Sequence, residues 1–441
     1  MNKKISKALL LMLTLLFVLG MTSCMFLSSY LDSSASTDDM KPDKNEGLQI
    51  SSVDINNDGE LIITYTNGSV QNLGCVVGKD GSVNVDINGN SNDASFAVAN
   101  GLRSAVSIQC VHNVYNKYGS LSTSASAGSG VIYKIDKEAS SAFIITNYHV
   151  VYNENAVNKN GIADSINVLF YGSEYGDMKV SATFVGGSNN YDIAVLRIDN
   201  CEYFKNNVFI EADFDDSDKI YAGQSAIAIG NPDGAGISAS YGIVSVYSEH
   251  ITLNIGGAVS LRVMRIDTPV NSGNSGGGLY NENGKLIGIV NAKTSDTSLE
   301  NIGYAIPSNI VKAVADNIID HCYGTELERV QRALLNITVG ISDSSAYLTD
   351  DGHVMIKETV FVSEVNSGGI AYGKLKKNDV LLSAKLNDKE IEITQQHQII
   401  DFLLNARVGD TLYVTVERST LTGVENVTVE IPITKNAINE Y

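Results

Sequence analysis

The chemistry of this chain gathers around Ser275, set in Pro269-Val270-Asn271-Ser272-Gly273-Asn274-Ser275-Gly276-Gly277-Gly278 with glycine on both sides. A serine hydroxyl is a poor nucleophile until a base takes its proton, a buried carboxylate orients that base, and donors await the oxyanion that forms. The glycines suit the last demand. Gly273, Gly276 and Gly277 lack Cβ and can hold backbone that aims N–H groups at a substrate carbonyl. By itself the stretch also reads as a Gly/Asn/Ser turn between strands. His149 closes the apolar run Phe143-Ile144-Ile145-Thr146-Asn147-Tyr148 and is the candidate base. Asp192 opens Ile193-Ala194-Val195-Leu196-Arg197-Ile198, a run apolar enough for burial, where an unpaired carboxylate is costly. Each has a bland reading alone, His149 as a satisfied core residue and Asp192 as a turn cap. Together they give the order His, Asp, Ser.

Gly273-Asn274-Ser275-Gly276-Gly277 also satisfies G-x-S-x-G, the nucleophile elbow of α/β-hydrolases. That elbow needs a helix directly after the serine and partners in the order Ser, acid, His. Here the glycines lead instead into a hairpin turning at Asn281-Glu282-Asn283-Gly284, and the partners lie upstream. The segments Thr146-Asn147-Tyr148-His149-Val150, Asp192-Ile193-Ala194-Val195-Leu196 and Gly273-Asn274-Ser275-Gly276-Gly277 strongly resemble the triad segments of HtrA (DegP-like) proteases. Supporting matches are Gly128-Ser129-Gly130-Val131-Ile132, Ala228-Ile229-Gly230-Asn231-Pro232, Gly242-Ile243-Val244-Ser245 and Gly303-Tyr304-Ala305-Ile306-Pro307-Ser308.

The resemblance runs from about Asp93 to Thr434 and implies a trypsin-fold protease of two β-barrels followed by a PDZ domain. Carried over, it implies His149 as general base, Asp192 as its orienter and Ser275 as the nucleophile that forms an acyl-enzyme. Backbone donors of Gly273, Asn274 and Ser275 would form the oxyanion hole, and neither a metal nor a cofactor is implied. The mechanism needs neutral imidazole, so activity is expected to fall in acid. Ser104, Ser272 and Gly278 stand where the family commonly has Pro, and losing Pro loosens a loop. An oxyanion loop over 270–276 that is disordered until substrate binds is the resulting expectation. The S1 pocket is expected near Ile289 to Lys293 and Asn301 to Ala305, small and apolar enough for a modest aliphatic side chain.

Further along, Leu334-Leu335-Asn336-Ile337-Thr338-Val339, Val362-Ser363-Glu364-Val365-Asn366-Ser367-Gly368-Gly369 and Gly373-Lys374-Leu375-Lys376-Lys377-Asn378-Asp379-Val380-Leu381 resemble a PDZ domain of this family. Such a domain takes an extended peptide as an added strand and captures its terminal carboxylate with backbone amides. Leu335, Asn336 and Ile337 match the carboxylate-binding loop, with Asn336 in place of the usual Gly; Asn tolerates left-handed backbone. A β domain that only packs against the protease is the alternative.

These residues need a scaffold, and 441 residues suffice for about two or three domains. Val, Ile, Thr and Tyr are plentiful and Trp is absent, which leans toward a β-rich protein. The expected fold is mostly β, with a double six-stranded chymotrypsin-like barrel at 93–323 and a PDZ domain at 328–435. Alternating runs and turn signals such as Asn57-Asp58-Gly59 and Asn67-Gly68 mark a small β-hairpin module at 48–92. Val53-Asp54-Ile55-Asn56 recurs there as Val85-Asp86-Ile87-Asn88, hinting at a repeated β unit. Asp54-x-Asn56-x-Asp58-Gly59 opens like a calcium loop, but Tyr65 stands where the bidentate Glu belongs, so it reads as a turn. Helical periodicity marks Ser308 to Cys322, a charged connector at Glu326 to Leu335, and Gln395 to Leu404.

Residues 1–23 combine Lys3, Lys4 and Lys7 with the apolar run Ala8 to Gly20, the pattern of an export signal. Ser23-Cys24 resembles a lipobox, so lipidated Cys24 would anchor the chain through a flexible tether at 24–47 to the outer face of the cytoplasmic membrane; ordinary cleavage nearby is the alternative. A formal net charge of −19, more negative once the leader is gone, argues against nucleic acid as a partner. Cys75, Cys110, Cys201 and Cys322 are spaced too irregularly for a disulfide scaffold or a zinc motif and read as buried thiols. The function expected is a cell-envelope serine endopeptidase acting on unfolded or mislocalised proteins. By the same resemblance it would assemble as a homo-oligomer, a trimer or a multiple of one. The alternatives are a PDZ-bearing chaperone or pseudoprotease that binds without cleaving, and an adhesive surface protein working through the 48–92 module.

Overall fold

The computed structural model describes residues 50–55, 60–66, 68–75, 94–173, 179–205, 208–291 and 302–440. The expected leader, tether and Cys24 lie outside these residues, as do the turn at 56–59 and the second Val-Asp-Ile-Asn stretch at 85–88. Two compact units are present, Met1–Asn90 and Ser91–Tyr441. In the first, β1 (Ile50–Ile55), β2 (Glu60–Tyr65) and β3 (Val70–Cys75) form an antiparallel three-stranded sheet.

The second unit begins with α1 (Ser95–Ser104), which the sequence reading did not anticipate: its apolar face is modest and Ala97, Gly101 and Ser104 are its buried positions. Two closed six-stranded barrels follow. The first joins β4 (Ala105–Tyr115), β5 (Leu121–Asp136), β6 (Ser141–Thr146), β7 (Ser165–Phe170), β8 (Val180–Ser188) and β9 (Ile193–Ile198) in the order β4-β5-β6-β9-β8-β7. The second joins β10 (Ser225–Gly230), β11 (Ser238–Asn254), β12 (Ala258–Ile266), β13 (Gly278–Tyr280), β14 (Leu286–Asn291) and β15 (Gly303–Pro307) in the order β10-β11-β12-β15-β14-β13. Every residue of β6 and β14 is buried, because these strands face a barrel interior on one side and the neighbouring barrel or a helix on the other. Between β6 and β7 lies the single-turn helix α2 (Tyr148–Val151).

Helix α3 (Ser308–Cys322) starts directly after Pro307 and buries Ile310, Val311, Val314, Ala315 and Ile318 in a core shared with both barrels. Residues 326–330 are not helical. They are a bend and irregular chain with one isolated bridge from Arg329 to Gly187, and lead into β16 (Gln331–Ala333), where the Asn317 side chain brackets Gln331, donating to its carbonyl at 2.7 Å and accepting its N–H at 2.9 Å. Only Gln331–Ala333 of the charged connector form a strand. The last strand, β23 (Ile438–Glu440), pairs with β16.

The C-terminal part is an antiparallel sheet of β17 (Ile337–Leu348), β18 (Val354–Val365), β19 (Val380–Leu386), β20 (Lys389–Glu392), β21 (Thr411–Thr420) and β22 (Gly423–Pro432). It carries the short helix α4 (Gln396–Phe402) and has its own apolar core around Val360, Leu381, Leu412 and Ile431. Cys110, Cys201 and Cys322 are buried free thiols, and burial pushes the Cys110 thiol up to about 12. Among the described residues no helix is long and apolar enough to cross a membrane, and no cluster of side chains could hold a metal ion.

Candidate active site

Strand β6 ends at Thr146, and the chain turns into α2 with His149 on its single turn. Asp192 lies in the tight turn between β8 and β9 with no exposed surface and a left-handed φ of 49°. Few residues tolerate that backbone, and Asp is among the better ones. Its carboxylate collects three donors. The His149 backbone N–H reaches Oδ1 at 2.9 Å, while His149 Nδ1 and Asn291 Nδ2 each reach Oδ2 at 2.7 Å. Asn147 Nδ2 donates to the Asp192 carbonyl at 2.9 Å and ties the entry of α2 to the same turn. Because an ionised carboxylate only accepts, the Nδ1 proton lies toward Asp192 and Nε2 keeps its lone pair. The imidazole is mostly covered, its side chain 13% exposed.

Ser275 sits in the loop before β13 and is buried together with Asn274. Gly276 has a φ of 85°, and a Cβ on it would collide with Ser129, Thr146 and the Asn147 N–H. This glycine thus lets the Ser275 loop press against the end of β6, three residues before His149. A Cβ on Gly128 would fall 2.7 Å from the Val150 methyls and 3.1 Å from the Ser275 carbonyl. From the other side, Gly276 N–H donates to the Val290 carbonyl at 3.0 Å, and the next residue is Asn291, which holds Asp192. The three candidate segments are interlocked.

Residues 270–276 have a defined geometry, which corrects the expectation of a disordered resting loop. Five consecutive carbonyls, from Asn271 to Ser275, accept hydrogen bonds from Asn274 N–H, Asp233 N–H, Ser129 Oγ, Gly277 N–H and Ser129 N–H in turn. Those bonds supply the restraint that proline would have given. A second correction concerns Asn274: its N–H is committed to the Asn271 carbonyl at 3.0 Å, inside the loop. Gly273 and Ser275 are the other two expected oxyanion donors. With no cis peptide in the described chain, the Gly273 N–H points opposite to the Ser272 carbonyl bonded by Asp233, and the Ser275 N–H opposite to the Asn274 carbonyl bonded by Gly277.

The sequence reading missed Asn291, Asn147 and Ser129. Asn291 carried one available signal, a buried amide ending the apolar run Leu286-Ile287-Gly288-Ile289-Val290. The expected S1 wall is described at Ile289, Val290, Asn291 and from Ile302 onward; residues 292–301 lie outside the described residues.

In the C-terminal part, Leu335, Asn336 and Ile337 line a cavity of about 260 Å3 together with Ile399, Ile400 and Leu403 from the α4 side. Asn336 is left-handed, with φ 55°, and its carbonyl accepts the Asn366 N–H at 3.0 Å. Gln396 at the start of α4 donates to the Val339 carbonyl of β17 at 3.0 Å, spanning the space between helix and strand.

Residues 128–289 match the family described as trypsin-like peptidase domain. The chain is 34% identical over 310 residues to Serine protease Do-like HtrA of Bacillus subtilis, covering 67% of this chain and 62% of that protein. It is likewise 34% identical over 321 residues to Serine protease Do-like HtrA of Lactococcus lactis subsp. cremoris, covering 69% of this chain and 70% of that protein. With the Periplasmic pH-dependent serine endoprotease DegQ of Escherichia coli it shares 35% identity over 266 residues, covering 60% and 51% of the two chains. The chain thus spans less than two thirds of the length of the Bacillus subtilis relative. Among solved structures, HtrA-type protease AlgW with tripeptide aligns with a TM-score of 0.49 and 24% identity, over 77% of this chain and 96% of that one.

Proposed function

The chain belongs to the HtrA family of Do-like serine proteases, and on that premise we propose that it is a serine endopeptidase cutting proteins through Ser275, His149 and Asp192. His149 Nε2 takes the Ser275 Oγ proton as Oγ attacks the scissile carbonyl, and the imidazolium then protonates the leaving amine. A water deprotonated by the same nitrogen splits the acyl ester and frees Ser275. Asp192 fixes the tautomer and stabilises the imidazolium. The N–H groups of Gly273 and Ser275 receive the oxyanion. The observation that carries this reading is the fully buried Asp192 carboxylate with His149 Nδ1 at 2.7 Å, locked against the Ser275 loop.

The C-terminal sheet is read as a PDZ domain that binds peptide C-termini at Leu335, Asn336 and Ile337. The apolar cavity beside them and the left-handed Asn336 support this. Unfolded or mislocalised proteins are the proposed substrates. The proposed location is outside the cytoplasm, with Cys24 lipidated as the anchor at the membrane and with copies of the chain assembled as a trimer or a multiple of one. The leader pattern and the periplasmic naming of the DegQ relative support export. The test is peptide-bond cleavage of an unfolded protein such as reduced casein by the full chain. Ser275→Ala is expected to abolish it; cleavage that survives the substitution overturns the mechanism, and a wild-type chain that binds casein without cutting it favours the pseudoprotease.

A further inference from the structure

The Gly273 carbonyl is bonded by a residue that belongs to neither the oxyanion loop nor its barrel. Ser129, on β5 of the first barrel and with no exposed surface, donates its hydroxyl to the Gly273 carbonyl at 2.6 Å. The direction of that bond is fixed by chemistry, since a carbonyl only accepts. The same oxygen accepts the Asn231 backbone N–H at 2.8 Å, so Ser129 Oγ is used in both capacities. Asn231, buried on the second barrel, is in turn fixed by its side chain, which donates to Ser107 Oγ of β4 at 2.6 Å and accepts the Gly236 N–H at 2.7 Å. The Ser129 N–H also holds the Ser275 carbonyl at 2.8 Å. A Cβ on Gly230 would fall 2.8 Å from Ser129 Oγ, and one on Gly276 would collide with the Ser129 carbonyl, so the space around this serine is reserved on two sides.

We propose that Ser129 is a positioning residue for the peptide-bond hydrolysis: its hydroxyl keeps the Gly273 carbonyl turned into the protein interior, and so keeps the neighbouring N–H groups aimed at the cleft. The inference rests on the serine-protease reading of Ser275. Gly273 has a φ of 95°, a conformation open to glycine, and nothing in its own side chain resists rotation of the adjoining peptide planes. Without the hydroxyl, that carbonyl and the Asn231 N–H each lose a buried partner. The carbonyl regains one by swinging toward the solvent-filled cleft, where it would occupy the place of the substrate oxyanion and repel it. Ground-state binding of the peptide does not depend on that oxyanion, so the loss falls on the chemical step.

The experiment measures kcat and KM separately for a fluorogenic peptide with the full-length wild type, Ser129→Ala, Ser129→Cys and Ser308→Ala, together with inhibition by a peptide boronic acid, whose tetrahedral adduct needs the oxyanion donors. Ser129→Ala is expected to lower kcat by about tenfold to hundredfold with KM within about twofold, in keeping with the loss of oxyanion stabilisation. It should weaken the boronic acid in parallel and leave the pH profile of kcat/KM unmoved, because His149 and Asp192 are untouched. Ser129→Cys keeps the shape with a weaker donor and should fall between the two; where the alanine variant fails to fold, the cysteine variant carries the same test. Ser308→Ala removes a buried hydroxyl that donates to the Asp215 carbonyl at 2.7 Å, outside this network, and controls for lost stability, with kcat expected to hold. Unchanged kcat in folded Ser129 variants, or a loss carried wholly by KM, overturns the proposal while leaving Ser275 as nucleophile intact. No cleavage by wild type overturns the underlying reading and this inference with it.

Discussion

At Asp192 a charged group is taken out of water, and its neighbours must replace the water it lost. Three N–H donors do so, two from His149 and one from Asn291, both residues distant in sequence. His149 is the proposed base; Asn291 Nδ2 donates to the carboxylate. Replacing Asn291 with leucine keeps the volume on β14 but leaves Oδ2 with a single donor. A hydrogen bond to a charged group contributes about 1.5–3 kcal/mol, so kcat should fall roughly tenfold or more, since 1.4 kcal/mol is a factor of ten. The larger loss should fall on kcat rather than KM, because Asn291 Nδ2 holds the carboxylate that orients His149. Steady-state kinetics on Asn291→Leu, checked against its melting temperature, tests this; an unchanged kcat would show that the two His149 donors suffice. The candidates His149, Asp192 and Ser275 are legible in the sequence because each sits in a local pattern of strand end or glycine run. Ser129 is not, because its partners are set by barrel closure and leave no mark on its own neighbourhood, and Asn291 shows only as an amide ending an apolar run.

Among the elements, those defined by local periodicity read well and those defined by distant partners do not. Helix α3 occupies Ser308–Cys322, the span its apolar spacing after Pro307 predicts. The connector after it carries helix-like charges, yet is not helical, and its Gln331–Ala333 stretch is a strand whose backbone Asn317 and β23 claim. The oxyanion loop was judged by its missing prolines, while its order comes from Ser129 and Asp233, far from it in the chain. Asn336 shows the opposite case, a local rule that suffices: its φ of 55° is what its place in a glycine-like position demands. Asn336→Ala should cost about 1–2 kcal/mol, because a Cβ without a polar side chain gains nothing in the left-handed region. Asn336→Gly should stay within about 0.5 kcal/mol of wild type, conformational entropy offsetting the eased backbone. Under the PDZ reading, titration of the full chain with a hydrophobic C-terminal peptide should weaken in the alanine variant and persist in the glycine one. Equal peptide affinity in all three would remove Asn336 from the proposed carboxylate loop.

Across the whole second unit, the C-terminal sheet is bound to the barrels by charged and polar contacts. Arg262 of β12, a buried side chain, pairs with Asp401 of α4 at 2.7 Å; Arg407 reaches Asp320 of α3 at 2.9 Å, and Gln395 donates to Tyr247 at 3.0 Å. Such contacts make the assembly sensitive to pH, and two groups there work in opposite directions. Burial first, then the Arg262 guanidinium and His250, push the His397 imidazole down to about 3. Between that value and the ordinary histidine value of about 6.5, the unfolded chain binds a proton that the folded chain lacks, so stability is lost as pH falls through this window. Asp218 is the reverse case. Burial raises it most, Arg262 opposes, and Asp216 and Asp401 add to the rise, leaving it at about 6. Its folded form holds a proton from about 3.8, the ordinary carboxylate range, up to that value, so its contribution is fully present below the window and is lost as pH rises through it. Between about pH 4 and 6 the two slopes, each at most about 1.4 kcal/mol per pH unit, offset one another. His397→Gln removes one of them. Melting temperatures of wild type and variant across that range should therefore diverge, with the variant gaining relative stability as pH drops; the difference isolates a single imidazole from all the other groups that titrate there. Parallel curves would mean that His397 is as exposed to protons in the folded chain as in the unfolded one, and that the face of α4 toward Arg262 is open to water.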